Sequence, residues 1–245
     1  MTRPPGSVRV MTWNIHGTLG RNPGFDLDRV VALIARQQPD IVALQEVDSR
    51  RPRGAGRDPF EVLRAAVGGH GIDARTITTA DGDYGQALIS RWPVTDVAVR
   101  DLSEPGREPR RAIRGDVATP LGPLRVVATH LGLSLGERRR QVFGLLGLLG
   151  DLDVTTVAMG DFNDWLWAGS VRRRLGRLLP ACSPQRTFPS VWPLFGLDRL
   201  FLWPPQALLG SHTDPAARAL SDHLPVIGDI RVAPIPIAQE RGGTS

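Results

Sequence analysis

Apolar and polar positions fall along this chain in blocks that predict alternating strands and helices. Positions 8–13 (VRVMTW) are a run with β-branched residues that ends on Asn14, a strand that stops at a polar side chain. A loop rich in Gly, Asn and Pro covers 15–24. Asp26 can then cap a helix whose apolar residues Leu27, Val30, Val31 and Ile34 recur at helical spacing, with Pro39 beyond its end. A buried strand is predicted at 40–44 (DIVAL), with Gln45 and Glu46 at its tip. An Arg/Gly/Pro loop at 49–58 leads to a second helix over 59–67, stopped by Gly68, Gly69 and Gly71. Strands are predicted next at 72–79, 86–90, 94–99, 113–118 and 124–129, with a charged, Pro-containing loop at 101–111. A helix over 137–149 presents Val142, Leu145, Leu146 and Leu149 on one face. A buried strand at 154–159, a helix around 165–179, and strands at 197–203 and 225–232 complete the pattern.

A strand-helix-strand block with a polar tip, followed by a β-rich block, occurs twice without an exact repeat period. This predicts two β-sheets packed face to face with helices outside, and excludes a solenoid. Positions 8–232 read as one domain, 1–7 as a short extension, and 233–245, Pro-rich and then polar, as a disordered tail.

Composition narrows the class. The 245 residues are 41% apolar and 22% charged, values of an ordinary soluble protein large enough to bury a sizeable core. The single cysteine, Cys182, excludes an intrachain disulfide and any multi-cysteine zinc site. All 30 basic residues are Arg and the formal charge is +5. Arg is a bidentate phosphate ligand, but a chain-wide absence of Lys reads more simply as genomic base composition. Neither an apolar leader nor a run of 18 apolar residues is visible, so a cytoplasmic location without a transmembrane segment is expected.

The candidate chemistry centres on 157–164 (VAMGDFND). A buried strand ends in Gly160 and delivers two carboxylates and an amide within four positions. Asp161 and Asn163, two apart, point the same way on extended chain. A carboxylate beside a carboxamide suits a hard cation or a phosphoryl oxygen, although Asp and Asn are also ordinary turn residues. Other strand tips carry the same kind of group: Asn14, Glu46, His130, Asp198, Asp222 and His223. Each alone reads as a turn residue or a satisfied core side chain. Together, at the ends of strands that lie side by side, they mark a ligand site.

The segments TWNIHG (12–17), LQEV (44–47), YGQALISRWP (84–93), THL (129–131), ERRRQ (137–141), GDFND (160–164), TFPS (187–190), LDRLFL (197–202) and SDHLPV (221–226) resemble, in order, the endonuclease/exonuclease/phosphatase superfamily. The resemblance implies a four-layer α/β sandwich: two packed mixed β-sheets flanked by helices. It implies phosphoester hydrolysis dependent on a divalent metal, Mg2+ with Mn2+ able to substitute. Glu46 is then the metal carboxylate, with Asn14 beside it and Asp222 serving this metal or a second one. Asp161 orients or deprotonates the attacking water, and Asn163 holds a non-bridging phosphate oxygen. His130 contacts the phosphate, and His223 pairs with Asp198 as base or as imidazolium. Thr187 supports the site from behind. The family's phosphate-binding Arg has three counterparts, Arg107, Arg110 and Arg111, of which Arg110 is preferred.

Abasic-site enzymes of this superfamily carry a Tyr three positions before the residue matching His130. Val127 stands there, which points toward the deoxyribonuclease, sphingomyelinase and inositol-phosphatase side. The expected partner is a phosphoester substrate, nucleic acid or phospholipid headgroup among them, and the expected state is a monomer. Arg50, Arg51, Arg53 and Arg57 could track a phosphate backbone or headgroups. Trp165, Trp167 and Trp192 could stack on a base or touch a membrane, whereas Trp203 beside Pro204 is expected to pack, and Arg172 to Arg174 with Arg177 to form a solvated face. An inactive anion-binding module on the same fold is the alternative, and no residue of the set is missing to favour it.

Overall fold

A computed structural model of the protein describes residues 2–17, 22, 24–50, 56–165 and 170–232. In chain order the elements begin with β1 (Val8–Asn14), α1 (Leu27–Gln37), β2 (Ile41–Asp48) and α2 (Pro59–Val67). Five strands follow: β3 (His70–Thr79), β4 (Gly82–Ser90), β5 (Val94–Asp101), β6 (Arg111–Thr119) and β7 (Gly122–His130). Then come α3 (Leu135–Leu149), β8 (Thr155–Asp161), α4 (Ser170–Leu178), β9 (Ala181–Cys182) and β10 (Asp198–Trp203). Last are β11 (Leu208–His212) and β12 (Val226–Ile230), flanked by short 3-10 turns.

Two six-stranded sheets result, ordered β11-β12-β1-β2-β4-β3 and β5-β6-β7-β8-β10-β9. Each is mixed. β1 runs parallel to β2 through the α1 crossover, and β7 parallel to β8 through α3, while the remaining pairs are antiparallel. The inner faces meet in one apolar layer that includes Val10, Ala43, Leu88, Val126, Val157, Met159 and Leu200. Two outer layers bury the helices: Leu27, Val30 and Ile34 of α1 with Phe60 and Leu63 of α2 on the first sheet, and Val142 and Leu145 of α3 with Val171 and Leu175 of α4 on the second. The order helix, sheet, sheet, helix is the four-layer sandwich expected from the twofold block pattern.

Local signals explain the helix ends. The Asp26 carboxylate accepts the Arg29 N–H and Asp58 that of Phe60, while Ser134 and Glu137 form a reciprocal capping box at the start of α3. The cap moves that helix start to Leu135. The buried face of α3 turns on Leu148 rather than Leu146, and that of α1 on Leu33 rather than Val31, each one step around the helix.

β2 differs more from expectation. It does not stop at Leu44 but continues to Asp48 through a register shift between Leu44 and Val47. Glu46 sits in that bulge with φ of 57°, which turns it off the ladder. Ile15 and Gly17 donate N–H groups to the Gln45 and Glu46 carbonyls and hold the bulge to the end of β1. The short strands β9 and β11 have too few alternating residues to be read from sequence. Trp165 precedes α4 rather than opening it. The tail at 233–245, Arg51, Arg53 and Trp167 lie outside the described residues. No described helix is long and apolar enough to cross a membrane.

Gly160 ties this framework to the chemistry. Its φ is 152°, and an added Cβ would lie 1.9 Å from the Thr129 carbonyl oxygen on the neighbouring strand. The obstacle is backbone, so it cannot swing aside. Gly160→Ala should therefore cost more than about 3 kcal/mol, read as a lower urea midpoint. An unchanged midpoint would mean the β7–β8 pair tolerates separation.

Candidate active site

Sheet register sets the first part of the site. Asp161, the last residue of β8, is paired across the sheet with His130 of β7 on one side and Asp198 of β10 on the other. The Asp161 Oδ2 atom is the meeting point. Asn14 Nδ2 donates to it at 3.1 Å, while His130 Nε2 lies 3.6 Å away and His223 Nε2 3.8 Å. Its other oxygen accepts the Asn163 N–H at 2.9 Å. Asn163 has φ of 49° and spends one amide hydrogen on the Leu131 carbonyl at 2.9 Å.

The two histidines are held in opposite states. His223 Nδ1 donates to Asp198 Oδ2 at 2.8 Å, and Asp198 is fully buried. Burial opposes a charged ring, but Asp198, Asp161 and Asp222 together outweigh it and push His223 up to about 10. His130 is pushed well below the usual imidazole range, first by burial, then by the charges of Arg110 and His223. Arg110 Nη1 lies 3.3 Å from His130 Nδ1. A guanidinium only donates, so this ring nitrogen accepts and the proton of neutral His130 sits on Nε2, toward Asp161. Asp161 itself is pushed up to about 6, by burial first and by Asp198, against the opposing pull of His223 and Asn14.

Across from these groups stands the tip of the first sheet. Asn14 Nδ2 also donates to Glu46 Oε1 at 3.0 Å, so one amide nitrogen bridges two carboxylates. The Asn14 oxygen accepts the His16 N–H at 3.1 Å. Asp222 is placed at the rim, half-exposed, with its carboxylate 2.9 Å from His16 Nδ1. Burial works to raise Asp222, and His16 and His223 more than offset it, while Asp222 and Glu46 raise His16. His16 was not singled out from sequence. Its signal was its place in TWNIHG, two residues after Asn14.

The supporting contacts account for several motifs. Ser221 Oγ donates to the Asn14 carbonyl and accepts the His223 N–H, and Trp13 Nε1 donates to the His223 carbonyl. These bonds pin the SDH turn to β1. Thr187 Oγ1 accepts the Asp198 N–H at 3.2 Å. Within ERRRQ, Gln141 accepts the Gly132 N–H, Arg138 donates to the Gly132 carbonyl, and the Glu137 carboxylate fills the space where a Gly132 side chain would lie. The motif therefore clamps the loop that follows His130.

Of the three candidate arginines, Arg110 is the one that reaches His130. It is buried, paired with Glu108 at 2.7 Å, and its Nε has no hydrogen-bond partner. A narrow cleft at its side is lined by Tyr84, Gln86, Arg111 and His130, and Gln86 Oε1 is likewise buried without a partner. Arg107 lines a second cavity with Ser134 and Glu137, which Arg110 also borders, but not the cleft beside His130. Val127 turns away from the site: it packs under α3 with Leu145, on the strand face opposite His130. The identity of residue 127 thus does not shape the reacting centre. Arg50 and Arg57 are engaged with Asp48 and Asp28. Trp203 packs in the outer core, Trp192 is 72% exposed, and Trp165 stacks edgewise on Phe188 and Phe195.

The chain and its fold are similar to known proteins. The model of the Endonuclease/Exonuclease/phosphatase family matches residues 11–223. Uncharacterized protein YbhP of Escherichia coli K12 is 29% identical over 250 residues, covering 92% of this chain and 97% of that protein. The crystal structure of an endonuclease/exonuclease/phosphatase from Beutenbergia cavernae is similar with a TM-score of 0.73 and 26% identity, covering 95% of this chain and 72% of that one. The human Nocturnin catalytic domain with bound sulfate anion has a TM-score of 0.69 at 18% identity, covering 95% and 97%. Members of this family generally act as metal-dependent phosphoester hydrolases. With two mixed sheets delivering carboxylates, amides and imidazoles to one seam, and a family match over nearly its whole length, the chain belongs to the endonuclease/exonuclease/phosphatase family.

Proposed function

We propose that the protein hydrolyses a phosphodiester by attack of water, with a magnesium or manganese ion held by Glu46 and Asp222 beside Asn14. The observation that carries this reading is the convergence of Asn14, His130 and His223 on one oxygen of Asp161. The donor chemistry fits a hard divalent cation. Glu46, in contact with Asn14, and Asp222, half-exposed at the rim beside His16, offer carboxylate oxygens, the donor type a hard cation takes. When bound, the ion would polarise a phosphoryl oxygen as a Lewis acid.

The chain's own groups do the rest. Asp161 Oδ2 orients the water and takes its proton as the water oxygen bonds to phosphorus. His130, neutral, donates its Nε2–H to a non-bridging oxygen, and Asn163 supports the same charge through its second amide hydrogen. Arg110 adds a fixed positive charge behind His130. His223, charged and held by Asp198, stabilises the developing negative charge and can hand its Nε2 proton to the departing oxygen as the P–O bond breaks. An inactive anion-binding module would leave this pairing of a neutral and a charged histidine unexplained.

The test is hydrolysis of bis-p-nitrophenyl phosphate. EDTA should abolish it and magnesium or manganese should restore it. Glu46→Gln should raise the magnesium concentration needed for half-maximal rate and lower the maximal rate. Full turnover in excess chelator would overturn the metal-assisted reading.

A further inference from the structure

Several arginines are held by carboxylates: Arg9 by Asp229, Arg64 by Asp73, Arg110 by Glu108, Arg125 by Asp116, whereas Arg199, half-buried, and Arg172 and Arg186, both exposed, stand differently. These three share one cavity. Arg172, Arg186 and Arg199 line a space of about 360 Å³ together with Asp164, Trp165 and Phe195. Among the described residues, no ion pair joins any of these three guanidinium groups to a carboxylate. Arg199 gives one N–H to the Ser183 carbonyl at 3.0 Å, and Arg186 extends exposed. Asp164, the acid among the described lining residues, accepts the Arg172 backbone N–H, lies 3.9 Å from Arg138, and feels the charges of Arg172 and Arg199 as well.

The cavity is joined to the reacting centre by rings. Trp165 packs edgewise on Phe195 and on Phe188, with centroids 5.2 Å apart in each case, and the Phe188 ring lies 4.8 Å from that of His223. Trp165 also follows Asn163 by two residues in sequence. Two rings, Trp165 and then Phe188, thus lie between a group held by the arginines and His223 beside Asp161.

We propose that this cavity binds a second phosphate group of the substrate. It rests on the hydrolytic reading above and deepens it: the substrate carries two phosphates, one cleaved at Asp161 and one held by Arg172, Arg186 and Arg199. Guanidinium forks match phosphate oxygens bidentately, and three in a half-enclosed space favour a dianion over a carboxylate. Trp165 and Phe195 offer an apolar face to whatever sugar or ring joins the two phosphates.

The experiment compares paired substrates with magnesium present. The dinucleotide TpT is set against its 5′-phosphorylated form pTpT, and glycerophosphoinositol against its 4-phosphate. One pair should show kcat/KM about tenfold or more higher for the two-phosphate member. A preference in the first pair assigns the second phosphate to a nucleotide, in the second pair to a headgroup. Arg172→Ala with Arg186→Ala should bring that ratio to about one, whereas Arg177→Ala, on the same helix outside the cavity, should keep it. No preference in either pair, or a preference that survives the double substitution, overturns the proposal. Calorimetry with pyrophosphate in EDTA gives a readout without turnover: the wild type should bind and the double variant should not. Pyrophosphate binding lost in the double variant, with no diester hydrolysed by the wild type, would sink the hydrolytic reading while the anion site stood. Absence of pyrophosphate binding would sink the site itself.

Discussion

Asp161→Asn should nearly abolish turnover and at the same time make the metal-free protein more stable. The loss of rate, about a thousandfold or more, follows from removing the acceptor on which Asn14, His130 and His223 converge. The gain in stability follows from the cost of keeping a carboxylate there. Its carboxyl sits at about 6 instead of the ordinary 3.8, a difference of about 3 kcal/mol between the charged and neutral forms. For an acid raised in the folded state, that cost is full above pH 6, shrinks as pH falls through 6, and is gone below the unfolded value. An amide keeps the shape but loses one of the bonds from Asn14 or Asn163, about 1 kcal/mol. The expected result in EDTA is a higher melting temperature for the variant at pH 8 and no advantage at pH 4. A variant less stable than wild type at pH 8 would mean that Asp161 is a structural residue.

His223→Ala should cut the rate by about three to four orders of magnitude, because it removes the imidazolium held beside Asp161. Asp198→Asn should cost less, since the ring remains and Asp161 still faces it. Its signature lies in the pH profile. In the wild type the imidazolium persists up to about 10, and the activity that needs it should fade only as pH rises through that value. Without the Asp198 charge the ring gives up its proton earlier, and the alkaline limb should move to lower pH. The same linkage makes His223 a stabilising group fully present below pH 6.5 and lost as pH rises through 10, so His223→Ala should also lower the melting temperature at pH 7. Equal, small losses from both variants, with no movement of the alkaline limb, would show that the pair has no part in the chemistry.

Much of this was legible in the sequence for a simple reason. Strands such as 8–13 and 154–159 are mostly apolar or β-branched and lead into polar residues, so their tips announce themselves. The register that sets His130 and Asp198 on either side of Asp161 was not legible, because pairing joins segments far apart in the chain. His16 escaped notice because its side chain is aimed by a φ of 48°, which no periodicity reports. Glu46 was found as a strand tip, yet it sits in a bulge inside a longer strand. The cavity at Arg172 was hidden in a run that reads as a solvated helix face. Only the fold brings Arg186 and Arg199 up to it.

The last strand of the fold has a consequence for how the protein is made. β12 closes the first sheet by pairing with β1, and the turn just before it brings His223 to Trp13, 210 residues away in sequence. During synthesis β1 emerges first and waits with one edge open. Asn14, Glu46, His130 and Asp161 are all out of the ribosome before the histidine that completes them. The cluster around Asp161 is thus completed in the same step that seals the first sheet, when the last strand has been made.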